Sequence, residues 1–205
     1  SGRYGIRDWS GAFLALGAIG LLAPLAVSLV QEPARRERAA SGRPGVRYTL
    51  AFLRSEALVV TTLCCGVAVV TMAPYGQLAF MPVMFSRQYG WDPADLAVAF
   101  GAIVVVAGIP GSISAGWVSA WLARNGRPHS DWIVCFIGAL GSLVPGAFAP
   151  LMPTAETSLM MFALAGLFAN WASVGALGVI ARLGPNEMRG QLTAVYTSTV
   201  GLIGA

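Results

Sequence analysis

The side chains of this sequence that could carry chemistry are few, and they lie outside its apolar stretches. Carboxylates could serve as general acids, general bases or proton carriers, and all of them occur in polar segments or at the ends of apolar ones: Asp8, Glu32, Glu37, Glu56, Asp92, Asp95, Asp131, Glu156 and Glu187. An enzyme built among apolar segments would need paired carboxylates, a metal cluster or a nucleophile with its base inside them. The sequence therefore predicts no catalytic residue, no metal and no cofactor.

The thiols and the single imidazole lead to the same expectation. Cys64, Cys65 and Cys135 lie within apolar stretches and lack C-x-x-C spacing, so we expect small buried side chains and not a disulfide or a zinc site. His129 follows Pro128 in a polar segment. We expect a solvated side chain there and not a ligand or a proton carrier.

The overall composition is that of a membrane protein. The chain is 56% hydrophobic and 11% charged, whereas soluble domains are about 45–50% apolar and about 25% charged. All thirteen basic residues are arginine and the net charge is +4. Because the arginines lie in polar segments between apolar ones, we expect them to orient the chain in a bilayer, and we expect no nucleic-acid partner.

Six apolar segments alternate with polar ones, at residues 11–31, 57–84, 94–123, 132–151, 158–181 and 191–205. A helix needs about 20 residues to span ~30 Å of hydrocarbon, so the first five are long enough to cross. We expect the sixth to be a truncated helix and residues 1–8 to be a loop without a signal peptide. The predicted organisation is an outer loop and first span over 1–31, an Arg-rich cytoplasmic loop over 32–55 and a helical bundle over 56–205.

Arginines are concentrated in every second polar segment. Arg124 and Arg127 follow the third apolar segment, and Arg182 and Arg189 follow the fifth. The segment after the first holds Arg35, Arg36, Arg38, Arg43, Arg47 and Arg54. Since cytoplasmic loops carry the excess of basic residues, we expect these three segments on the cytoplasmic side.

Small residues recur at four-residue spacing in the third apolar segment, as Gly108, Ser112 and Gly116. This spacing places them on one face of a helix, where two backbones can approach closely. We expect this face to pack against a neighbouring helix.

The turn after the same segment carries the most specific motif, in which Gly116 is followed by Arg124, Gly126 and Arg127. It resembles the signature of the major facilitator superfamily. In that family a Gly near the cytoplasmic end of a helix is followed four residues later by an Asp, and then by a basic turn that ends in Gly-Arg. Here Ala120 stands in the place of the Asp, so the carboxylate that would pair with an Arg at this turn is missing.

Further segments resemble the same family. Residues 31–36 are similar to the exit of its sixth helix, and Pro185, Arg189 and Gly190 to its turn between helices ten and eleven. Residues 80–90 resemble the outer end of helix seven in spinster-like lipid transporters. The gating and structural motif residues that the resemblance implies are thus Gly116, Arg124, Gly126, Arg127, Pro185, Arg189 and Gly190.

The resemblance implies an all-α membrane bundle that is the second six-helix half of a twelve-helix transporter, from helix six to a truncated helix eleven. It implies a secondary transporter of a small organic or amphipathic solute, lipid-like or drug-like, with H+ as the coupling ion, in the bacterial inner membrane. Its partners would be membrane lipids and a missing N-terminal half, which would hold the coupling carboxylate. A membrane-embedded enzyme and a non-transporting membrane scaffold are the alternatives.

The resemblance also implies which segments line the substrate cavity, namely the second and the fifth. In the second, Pro74 removes a helix hydrogen bond, so we expect a kink or an unwound turn near Tyr75 and Gln77. In the fifth, Asn170 and Trp171 lie near the centre. Tyr75, Gln77, Asn170 and Trp171 are the predicted substrate-binding residues, and packing between helices is the alternative role for the last two.

The arginine distribution makes a topology prediction. Single cysteines at Ser41 and Asp92, in a full-length protein without its native cysteines, should react with an impermeant maleimide from opposite faces of the membrane. The measurement is labelling in oriented vesicles, with permeabilised vesicles as the control. Labelling of both positions from one face would contradict the predicted orientation.

Overall fold

The computed structural model describes residues 8–29 and 45–204, which form helices without a strand. The helices are α1 (Asp8–Ser28), α2 (Val46–Ser55), α3 (Ala57–Tyr89), α4 (Pro93–Arg124), α5 (Ser130–Phe148), α6 (Ala155–Leu183) and α7 (Arg189–Gly204). A 3-10 turn, Ala149–Leu151, follows α5, and a second one, Asn186–Met188, precedes α7. The chain divides into two compact units, Ser1–Arg38 with α1 and Ala39–Ala205 with the other helices. The all-α prediction is confirmed for the described residues.

Each predicted apolar segment contains a helix, although several helices run past the predicted limits. Helix α3 ends at Tyr89 and not at residue 84, and α4 ends at Arg124. The segment 32–55 was expected to be a loop, but its last part forms the helix α2. Four of the arginines predicted there lie outside the described residues: Arg35, Arg36, Arg38 and Arg43.

Local sequence signals set the turn between α3 and α4. Gly90 ends α3 at φ 70°, a left-handed conformation that glycine adopts without strain. Asp92 caps α4 by accepting a hydrogen bond from the Ala94 N–H at 2.9 Å, and Pro93 fills the first helical position, where no N–H is needed. The two helices are therefore joined by a turn of few residues.

The outer surface of the second unit is apolar. Large apolar side chains are exposed on it, for example Phe80 at 74% and Val98 at 77%. Among the described residues, four helices are long and apolar enough to cross a membrane: α3, α4, α5 extended to Leu151, and α6. The chain is therefore a multi-pass membrane protein, and the lipid replaces water around this surface.

Helices α5 and α6 make the most intimate contact in the second unit, because glycines let their backbones touch. A Cβ atom on Gly175 would lie 2.5 Å from the Cys135 nitrogen and 2.8 Å from the Asp131 carbonyl oxygen. On the facing helix, a Cβ atom on Gly138 would lie 2.7 Å from the carbonyl oxygen of Phe168. These glycines form a seam in which backbone atoms of the two helices are in van der Waals contact.

Helix α4 also packs on α6 through small residues, and the buried row is rotated from the face that the sequence suggested. Its buried positions include Ala107, Gly111, Ala115 and Ser119, which are again spaced by four residues. Gly116 is exposed, and a Cβ atom there would meet nothing within 4 Å. Ser112 of the predicted face does bond to α6, through Asn170, but the buried row lies one residue away, or about 100° around the helix.

Helix α3 is held at its two ends by separate apolar clusters. At the end where α6 finishes, Leu63 and Val67 pack with Ile180 of α6 and Leu192 of α7. At the opposite end, Phe85 lies against side chains of α4 and α6. Its ring meets the Trp91 ring edge to face, with 5.8 Å between the ring centroids. The middle of α3 contributes to neither cluster.

The glycine seam makes a stability prediction. Gly175→Ala should destabilise the full-length protein by about 1–3 kcal/mol, because the new methyl group meets backbone atoms of α5 that cannot move aside. Gly116→Ala is the matched control, since it adds the same group to an exposed position on a helix. The measurement is the thermal unfolding midpoint in detergent, and equal midpoints for the two variants would contradict the seam.

Candidate functional site

A cavity of about 500 Å³ lies between the middle of α3 and the helices α4, α5 and α6. Its wall includes Val70 and Gln77 of α3, Phe100 of α4, Gly146 of α5 and Asn170 of α6. This volume falls within the roughly 300–1,000 Å³ of small-molecule sites. The helices that meet here make it the candidate ligand site of the second unit.

The chemistry of the cavity wall is mostly that of hydrocarbon. None of the described residues that line it carries an ionisable side chain, and its polar side chains are Gln77, Ser142 and Asn170. An ion would lose its hydration here without gaining a counter-charge, which is costly in an apolar environment. The cavity therefore suits an uncharged and largely apolar group.

Asn170 lies both at the cavity and at the α4–α6 contact. Its Nδ2 donates to the Gly166 carbonyl oxygen at 2.9 Å, and its Oδ1 accepts from the Ser112 hydroxyl at 3.2 Å. These bonds hold the amide plane against its own helix and against α4. Asn170 thus makes the hydrogen bond between helices that a packing role predicts, and it also lines the cavity as a binding role predicts.

Helix α3 runs without interruption through Pro74, so an unwound turn near Tyr75 and Gln77 is wrong, and the alternative of a kink stays a prediction. Proline has no N–H, and the Val70 carbonyl oxygen therefore lacks its usual helical donor. Val70 and Pro74 both line the cavity. This backbone position adds hydrogen-bonding capacity to a wall with few polar groups.

The structure separates the predicted binding residues into two pairs. Gln77 and Asn170 line the cavity, whereas Tyr75 and Trp171 do not. Tyr75 is 53% exposed on the surface of α3. The Trp171 indole N–H donates to the Ser114 hydroxyl at 2.9 Å, and this bond crosses from α6 to α4. The contacts of Trp171 are those of the packing alternative.

The basic turn after α4 has the geometry that its glycine allows. Arg124 is the last residue of α4, and Arg127 is exposed beyond it. Gly126 has φ +74°, in the left-handed region where a Cβ atom is strained. Gly126 of the family motif is therefore a residue that the backbone conformation of this turn requires.

The second set of motif residues lies in the connection from α6 to α7. Pro185 precedes the 3-10 turn, and Arg189 begins α7. Arg189 and Gly190 are exposed. Their predicted role in gating stays a prediction.

Among the residues with reactive side chains, Cys65 and Cys135 are less buried than expected, Cys135 being half-buried, and Asp131 is more buried than expected. Cys64 is buried as expected, but Cys65 is exposed, since it points away from the core cluster that holds its neighbour. His129 is exposed. Asp131, which the sequence placed at the end of an apolar stretch, is buried in the first turn of α5. No group of three metal-binding side chains occurs in the described part of the chain.

Comparison with known proteins agrees with this architecture. The family model described as Major Facilitator Superfamily matches residues 2–205. The fold is similar to the crystal structure of a bacterial homolog of the human lysosomal transporter Spinster, in an inward-facing and unoccupied conformation, with a TM-score of 0.66 and 22% identity. The match covers 96% of this chain and 42% of that one. No match was found among curated proteins.

The Trp171 contact makes a prediction about packing. In the full-length protein, Trp171→Phe and Ser114→Ala should each lower the free energy of unfolding, and the double variant should lose less than the sum. The coupling should be about 0.6 kcal/mol, as is typical of hydrogen bonds between membrane helices. The measurement is unfolding in mixed micelles, with Trp121→Phe as an exposed aromatic control. Additive losses would show that the indole and hydroxyl do not interact.

Proposed function

Because this chain belongs to the major facilitator superfamily, a family of transporters, we propose that it forms the C-terminal half of a secondary transporter that works by alternating access. The match to 42% of the Spinster homolog chain supports the assignment to a half. In such proteins substrate binds near the bilayer midplane between structural repeats. The partner that completes the site is the N-terminal half of the same protein.

The observation that carries the substrate proposal is the cavity bounded by α3 and α6. These helices correspond to helices seven and ten in the numbering that the family resemblance implies. The wall is hydrocarbon with the two amides of Gln77 and Asn170. We propose that this half receives the uncharged, apolar part of a small amphipathic solute, and that the amides of Gln77 and Asn170 bond its hydroxyl or carbonyl group.

The sequence of the outer end of α3 and the fold similarity to the Spinster homolog support a spinster-like transporter. The bacterial origin of that structure supports the bacterial inner membrane as the location. A proton as the coupling ion remains part of the proposal, and the carboxylate that carries it would belong to the N-terminal half. None of the described residues that line the cavity could carry it.

Filling the cavity tests the proposal. Gly166 lines the cavity, and a Cβ atom there would meet nothing within 4 Å, so Gly166→Leu should occupy the site without displacing the helices. A panel of uncharged amphipathic compounds should raise the thermal unfolding midpoint of the full-length wild type. This stabilisation should be lost in Gly166→Leu, because the leucine takes the space of the ligand.

Gly101→Leu is the matched control, since Gly101 is exposed on α4 with open space around it and is not part of the cavity wall. It should respond to the compounds as the wild type does. Sugars and organic ions of similar size should have no effect on any variant. Equal stabilisation of the two leucine variants, or stabilisation by the hydrophilic compounds alone, would contradict the proposed site.

A further inference from the structure

The motif after α4 lacks its carboxylate at Ala120, yet the structure places a carboxylate close by. Asp131 lies in the first turn of α5, and its side chain is only 9% exposed. It sits at the end of the bundle where α4 and α6 finish, which is the predicted cytoplasmic end. A buried charge at this place needs partners, because an unpaired one is costly.

The partners of Asp131 come from the two neighbouring helices. The Ser119 hydroxyl, in the last turns of α4, donates to Asp131 Oδ1. The Arg182 Nε atom, in the last turn of α6, lies 2.8 Å from Oδ2. Oδ2 is buried and accepts no hydrogen bond of good geometry from the described residues, so the guanidinium charge is what offsets it.

The backbone of α6 is shaped to receive this carboxylate. A Cβ atom on Gly178 would lie 2.6 Å from the Asp131 Cγ atom and 2.9 Å from each carboxylate oxygen. The carboxylate therefore rests directly on the α6 backbone, one turn before Arg182. The Arg182 side chain, in contrast, is 55% exposed and reaches the carboxylate from the solvent side.

We infer that Ser119, Asp131 and Arg182 form a clasp that holds the ends of α4, α5 and α6 in fixed register. The clasp supplies from α5 the carboxylate that the motif lacks on α4. The role of the clasp in transport rests on the function proposed above. In alternating access the C-terminal half must move as one body while the wall of its cavity keeps its shape, and the clasp would hold the helices together during that movement. The three residues are positioning residues, since they lie outside the cavity wall.

The primary test measures register without any substrate. Spin labels are placed at Ala123 and Glu187 of the full-length protein without its native cysteines. They report the distance from the C-terminal end of α4 to the turn between α6 and α7. Asp131→Asn should broaden the distance distribution at least about twofold, since partly released helix ends sample more than one arrangement. Ser119→Ala should broaden it less, because the ion pair remains.

The double variant Asp131→Asn with Arg182→Gln distinguishes two roles of the ion pair. One is to hold the helix ends together, and the other is only to neutralise the buried charge of Asp131. The double variant leaves no buried unpaired charge, so its thermal stability should exceed that of Arg182→Gln alone, in which the buried Asp131 loses its partner. Its distance distribution should nevertheless stay broad, because the ion pair between α5 and α6 is gone. Asp95→Asn is the control, an exposed acid in the first turn of α4 at the opposite end, and it should match the wild type.

A distribution as narrow as that of the wild type, in Asp131→Asn or in the double variant, would overturn the clasp. Transport of the most stabilising uncharged compound from the panel then tests its consequence. Clasp variants should lose about fivefold or more in rate with unchanged half-saturation. Failure of the wild type to transport that compound would count against the proposed function alone, because the distance measurement decides the clasp.

Discussion

The backbone contact between α5 and α6 is the constraint on which the rest of the described bundle depends. In a bilayer, apolar side chains gain nothing by leaving lipid for protein, so helices associate through close van der Waals contact and interhelical hydrogen bonds. Gly138 and Gly175 provide that contact from both sides of the interface. Helix α4 adds to the pair through its own small residues, and Gly111 lies against the Leu167 backbone of α6. These three helices form the tightly packed part of the unit.

The cavity follows from the way in which α3 joins this packed group. It is bound by one apolar cluster around Val67 and by another around Phe85, and the stretch between them, which includes Pro74 and Gln77, borders open volume. A helix that is packed mainly at its two ends leaves a pocket at membrane depth between them. The same arrangement explains why the polar groups of the wall come from several helices and not from one polar face.

Much of the architecture could be predicted from the sequence, since a helix needs an apolar stretch of defined length to cross lipid. The rotation of the helices could not. Helix α4 has small residues on two adjacent faces, and the contact with α6 buries Ala107 and Gly111 and leaves Gly116 exposed. The amphipathic α2 escaped prediction because its arginines made the segment resemble a loop. The burial of Asp131 depends on Arg182, which is distant in sequence.

The short connection between α5 and α6 has a consequence for the order of assembly. Helices α3 and α4 share few contacts with each other, and each packs more closely with helices later in the chain. During synthesis they enter the membrane before α6 exists. The hairpin of α5 and α6 brings together segments that are adjacent in the chain, so its closure requires little loop entropy. Most contacts of α3 and α4 within the described bundle can therefore form only after α6 has been made, and the hairpin is the surface on which they assemble.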